Sequence, residues 1–133
     1  MYKRQALGIT EDAGAAYEKF SRVSAERDAC IRNAYENYDI LMGWGTDMDL
    51  GSMQANPYME WQTRKNRLGI SNLDLLKQAT INSAVLMGVD NKIGTVSVGK
   101  LADFIVVDGD PIADITAMYK KPVHVIKDGE VIR

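Results

Sequence analysis

Gly45-Thr46-Asp47 closes the apolar run Ile40-Leu41-Met42-Gly43-Trp44 and sets a carboxylate where a strand would end. A short acid held on a rigid strand can accept a proton and give it back. An acid in that place can equally cap a helix or stand solvated, and spacing alone leaves these readings open. The rest of the chemical inventory is thin. Cys30 is the only cysteine and His124 the only histidine. That excludes an internal disulfide framework, a multi-cysteine zinc site and any self-contained site built on several histidines. Cys30 falls on the apolar stripe of a helical pattern and reads as a buried small hydrophobe. His124 lies between Val123 and Val125, opposite in phase, and is expected to face solvent or a domain seam. Glu60 reads as a solvated or packing acid. Asp103 reads as a group that satisfies backbone donors where the chain enters a strand.

The elements that must position these residues follow from periodicity. Residues 10–38 carry apolar side chains at spacings of three and four, with Thr10 as N-cap and Glu11 and Asp12 at the positive end of the dipole. Residues 40–44 change period and suit a parallel strand covered on both faces. Residues 48–55 show no period and read as a loop. Asn56 as N-cap, Pro57 at the first helical position and Gly69 past the end bracket a helix over 57–68. Ser71-Asn72-Leu73-Asp74 resembles a capping box for a helix that turns Leu73, Leu76 and Ala79 inward. A further short helix is expected to restart at Thr80 and end before Gly88. Beyond it, residues 93–100 are glycine-punctuated and β-branched, and 101–107 form a strand. Residues 123–127 and 130–132 flank Asp128-Gly129, a strong hairpin signal. The order predicts an α/β unit with an antiparallel sheet appended.

Composition narrows the class. The chain has 133 residues, 46% apolar and 26% charged, with a net charge of −2, which is the profile of a folded globular chain without a nucleic-acid or anionic-membrane footprint. No apolar run approaches the roughly 18 residues a transmembrane helix needs, and no apolar segment of signal-peptide type follows the basic start. Tyr2-Lys3-Arg4-Gln5 can be back-translated to a sequence that resembles a transposon end used in sequencing libraries, where a preceding GTG can be read as the start Met1. Residues 1–5 are therefore expected to be translated adapter, with the gene continuing upstream.

An ordered series of motifs then becomes recognisable. Gly45-Thr46-Asp47 is followed by Ala79-Thr80-Ile81-Asn82-Ser83-Ala84 and Gly88, then Ile93-Gly94-Thr95-Val96. After these come Gly99-Lys100-Leu101-Ala102-Asp103-Phe104-Ile105-Val106-Val107-Asp108, Asp110-Pro111 and Val125-Ile126-Lys127-Asp128-Gly129. Over residues 30–133 the series resembles the C-terminal end of the amidohydrolase superfamily, toward its Xaa-Pro dipeptidase and imidazolonepropionase-like members.

The resemblance implies an α/β fold in which residues 6–90 are the C-terminal part of a (β/α)8 TIM barrel. Residues 91–133 would be strands of a small β-sandwich, a composite domain formed by both chain ends. It implies a metal-dependent hydrolase of carbon–nitrogen bonds using a divalent metal, expected to be zinc, as one or two ions. Asp47 matches the carboxylate that ends the family's eighth strand and is the implied catalytic residue and metal ligand. A metal lowers the pKa of its bound water to about 7. Asp47 would take the water's proton and return it to the leaving nitrogen, with Gly45 permitting close packing and Thr46 orienting the carboxylate. Trp44, Met48 and Asp49 lie beside it as candidate substrate-binding residues, with simple packing as the alternative.

The family's first-strand His-x-His pair, its bridging Lys or Glu and two further histidines have no counterpart here, so these ligands are expected upstream and the isolated piece inactive. A deaminase of cyclic substrates in the same superfamily and a non-catalytic barrel scaffold are the alternatives, and the intact Gly45-Thr46-Asp47 argues against the scaffold. The expected partner is a small-molecule or dipeptide substrate, not nucleic acid or membrane, with homo-oligomers expected of the full-length form. The compartment is open, with the cytoplasm favoured.

Overall fold

The structure is a computed structural model that describes residues 11–47 and 49–133. Thr10, the expected adapter segment and Met48 lie outside the described residues. The chain divides into two units, Met1–Tyr38 and Asp39–Arg133.

In the first unit the expected long helix is present as α1, Glu11–Asn37. Its end is tied by Asn37, whose side-chain amide donates to the Asn33 carbonyl (3.2 Å) and to Asn33 Oδ1 (2.9 Å). Cys30 is exposed, contrary to the buried position expected from the stripe. The covered face of this stretch runs through Asp28, Ile31 and Ala34, and Cys30, two residues on from Asp28, turns to the opposite side.

The second unit begins with residues 39–47, which belong to no helix or ladder. This corrects the strand expected over 40–44. A strand needs a partner for its backbone groups, and the described sheet contains only strands from the far end of the chain. The expected loop over 48–55 is also corrected, because Leu50–Ala55 forms the short helix α2. Its Leu, Met, Gln and Ala are good helix formers, but six residues are too few to display a period.

The next helix starts later than the Asn56-Pro57 signal suggested. Residues 57–58 make a turn, and α3 covers Met59–Gln62. Asn56 contributes its carbonyl to Met59 N (3.1 Å), whereas its side-chain Oδ1 is buried without a partner and does not cap. The helix continues as a π-helical turn, Thr63–Arg67, and ends at Gly69 with φ +75° as expected. Ser71 caps α4, Asn72–Lys77, by accepting from Asp74 N (3.1 Å). A second π-helical turn, Gln78–Asn82, leads into α5, Ser83–Leu86, so the chain does not restart at Thr80.

The inward face of α4 also differs from expectation. Leu75 is fully buried and Leu73 is 45% exposed. The buried stripe runs through Leu75 and Gln78, and an amide on that stripe hid it from a hydrophobic count. Leu68, Ile70, Leu75, Ala84, Ile115, Ala117 and Ile126 are the buried apolar residues.

In the C-terminal part the strand expected over 101–107 is reduced to three residues, and the expected hairpin is present. β1, Phe104–Val106, pairs antiparallel with β2, His124–Lys127, which pairs with β3, Glu130–Val131. Asp128 (φ +51°) and Gly129 (φ +82°) make the hairpin turn, both in the left-handed region that a tight hairpin of this kind demands. Between β1 and β2 a 3-10 turn, Ile115–Tyr119, is capped by Asp114, which accepts from Thr116 N (2.9 Å). No helix among the described residues is long and apolar enough to cross a membrane.

Candidate active site

The segment leading to Asp47 is held by side chains instead of by a sheet. Asn82 Nδ2 donates to the Met42 carbonyl (3.0 Å), and the Trp44 N–H donates to Ser83 Oγ (2.8 Å). Arg64 donates to the Gly43 carbonyl from Nη1 (2.8 Å) and to the Gly45 carbonyl from Nη2 (3.3 Å). Groups at 42 and 44 thus go one way and those at 43 and 45 the other, the alternation of an extended backbone. Arg64, Gln78 and Asn82 all come from the two π-helical turns. Such turns splay the helical ladder and are frequent at functional sites. Gly43 is tightly approached, since a Cβ there would stand 2.6 Å from Leu86 Cδ1 and 3.3 Å from Ser83 Oγ.

Trp44 is half-buried, with its ring 4.2 Å from that of Trp61 at 45° and the Arg64 guanidinium 4.9 Å from its centroid. Asp47 follows, exposed, with φ +49°. Asp is among the few side chains that tolerate this left-handed backbone. Thr46 is half-buried beside it. Asp49 is exposed, and its carbonyl accepts from Met53 N (3.0 Å) at the start of α2.

The other singled-out residues lie elsewhere. Glu60 is half-buried and ion-pairs with Arg64 Nε, a specific partner that the solvated-or-packing reading does not supply. Asp103 accepts from Asp128 N (2.8 Å) and pairs with Lys127, satisfying a backbone donor of the hairpin as read. The Asp128 N–H, and then Lys127, hold the Asp103 carboxyl below the usual carboxylate range, and Asp103 in turn raises Lys127. His124 is exposed, its Nδ1 3.4 Å from the Arg133 carbonyl oxygen.

Among the described residues no group of three or more His, Cys, Asp or Glu side chains converges. A catalytic zinc takes three protein ligands, so these residues do not form a metal site by themselves, and Asp47 could supply one donor. Arg64 and Gln78 were missed by pattern reading. The Glu60-to-Arg64 spacing shows an ion pair across one helical turn, but nothing local says that the pair points at residues 43–45.

Comparison with known proteins places this arrangement. Residues 16–132 match the amidohydrolase family. The chain belongs to the amidohydrolase family. It is 36% identical over 64 residues to the imidazolonepropionase of Sphingopyxis alaskensis, covering 47% of this chain and 16% of that protein. A Bifidobacterium longum structure assigned as a prolidase superposes with a TM-score of 0.80 at 29% identity, over 97% of this chain and 31% of that one. A Xaa-Pro dipeptidase with bound methionine in its active site superposes at 0.66 with 31% identity, over 80% of this chain and 25% of that one. This amidohydrolase chain therefore spans about a sixth of the curated relative and a third or less of these solved structures.

Proposed function

We propose that the whole protein is a metal-dependent hydrolase of carbon–nitrogen bonds, and that Asp47 is its proton shuttle. The observation that carries this reading is an exposed Asp47 at the end of a pinned segment, within a chain matched to the amidohydrolase family over most of its length. In this reading residues 6–90 are the last part of a (β/α)8 barrel and 91–133 are strands of a small sandwich. The three-stranded sheet supports the second assignment.

A divalent metal, expected to be zinc with its other ligands supplied by the rest of the protein, would activate water and polarise the scissile carbonyl. The chain's own contribution is at Asp47 Oδ. It accepts the proton of the attacking water as the new carbon–oxygen bond forms, and delivers it to nitrogen as the carbon–nitrogen bond breaks. The clamped carbonyls of Gly43 and Gly45 fix the backbone that leads into Asp47. Trp44 and Asp49, and Met48 by its place in the sequence, are the candidate substrate contacts.

The solved neighbours named as prolidase and Xaa-Pro dipeptidase favour a dipeptide substrate. The imidazolonepropionase relative supports a second reading, a cyclic substrate. The test is to strip metal from the whole protein with a chelator, restore zinc, and assay Xaa-Pro dipeptides alongside cyclic amides and amidines. The dipeptidase reading expects proline release that disappears with the metal and returns with zinc. Ammonia release from cyclic amidines would favour the deaminase, and turnover indifferent to chelation would overturn the metal-dependent reading.

A further inference from the structure

We infer that Arg64 is a positioning residue for Asp47, acting through the backbone at Gly43 and Gly45. The inference rests on the shuttle role proposed for Asp47. Its basis is the number and direction of the Arg64 contacts. Nε is engaged by Glu60, Nη1 reaches both the Gly43 carbonyl (2.8 Å) and Gln78 Oε1 (2.6 Å), and Nη2 reaches the Gly45 carbonyl (3.3 Å). The guanidinium also lies over the Trp44 ring. Glu60 and Gln78, the latter only 2% exposed, fix the plane of the fork.

A planar fork can span two carbonyls that face the same way, two residues apart, while its inner nitrogen holds an acid. A lysine ammonium, a point charge on a flexible stem, cannot do both. The second carbonyl belongs to Gly45, two residues before Asp47. No described ladder holds this stretch, so Arg64 from one side, with Asn82 and Ser83 from the other, sets where the Asp47 turn begins. Gly43 and Gly45 have no side chains to pack, which makes the fork the main restraint on that side. Displacing a reacting group by about 1 Å can cost on the order of 100-fold in rate.

The experiment is a double-mutant cycle in the whole protein with Arg64→Lys and Asp47→Asn, reading kcat, KM and metal content. Arg64→Lys is expected to lower kcat about tenfold or more, leave KM within about twofold, and leave metal content unchanged. In the Asp47→Asn background the same change should alter the residual turnover by less than about twofold, because the group it positions is already disabled. An unchanged kcat, or an equal fall in both backgrounds, overturns the inference. If Arg64→Lys does not fold, Glu60→Gln replaces it in the cycle, with a smaller kcat loss and the same dependence on Asp47 expected. A failure of the shuttle reading has a different signature: Asp47→Asn alone, with Arg64 intact, would keep most of its turnover.

Discussion

Asp103 and Lys127 form an ion pair whose pH dependence can be worked out from its geometry. The Asp128 N–H and Lys127 lower the Asp103 carboxyl, so its stabilisation is present above the ordinary carboxylate pKa and lost as pH falls through the depressed folded value. Lys127 is raised, so its share is present below the ordinary lysine value and lost at higher pH. In Asp103→Asn the amide oxygen can still accept from Asp128 N, which isolates the charge. The unfolding midpoints of wild type and variant should differ most between about pH 5 and 10, and the gap should close as pH falls through the depressed folded value and shrink with salt. A gap that stays the same size at every pH and salt concentration would contradict the ion-pair account. The backbone-satisfying role of Asp103 was legible because an acid at a strand entry has few other uses. Arg64 was not legible, since a cation on a helix reads as surface until its partners across the fold are known.

At the scale of elements, the hairpin and its pairing with β1 were legible, because Asp128-Gly129 carries its own backbone demand in its residue types. Residues 40–44 were not, because an apolar run specifies burial and leaves the choice of hydrogen-bond partner to the rest of the fold. The two π-helical turns left no trace in hydrophobic spacing, although they carry Arg64, Gln78 and Asn82. The packing of this region against the glycine-rich connection can be tested by comparison. Gly94 has φ +93°, and a Cβ there would meet Ala84 Cβ at 2.8 Å and the Ile81 Cα at 3.0 Å. Gly99 has φ +88° with open space around it. Both alanine variants suffer the left-handed penalty of about 1 kcal/mol, and Gly94→Ala should lose about 2 kcal/mol more through overpacking. Denaturant unfolding of the whole protein checks this, and equal losses at the two sites would contradict the close approach.

At the scale of the whole molecule, the chain leaves much apolar surface open. Phe104, Ile105 and Val106 are each at least 40% exposed, and Val96 and Val98 are fully or nearly so. A cavity of about 630 Å³ opens beside β1, lined by Ala79, Ser83, Met87, Phe104 and Ile126 among others. Exposed apolar side chains on β1 and the connection before it suit a chain that spans a third or less of its solved relatives. Expressed alone, the 133-residue chain should bind a hydrophobic dye strongly and retain far less than one zinc per chain. Elemental analysis showing about one tightly held zinc per chain would contradict the assignment of the remaining ligands to the rest of the protein.

The central claim, that Asp47 moves the proton, is tested most directly by Asp47→Asn in the whole protein, with steady-state kinetics and metal content measured side by side. Asparagine keeps the size and one oxygen of the carboxylate and is well tolerated at the positive φ found here, so the backbone turn should survive. The negative charge and the capacity to accept a proton are lost. Turnover should fall by about 100-fold or more. Metal content should fall less than activity, and KM should change little, because a shuttle acts mainly in the transition state. An Asp47→Asn enzyme that keeps more than about half of the wild-type turnover would contradict the account.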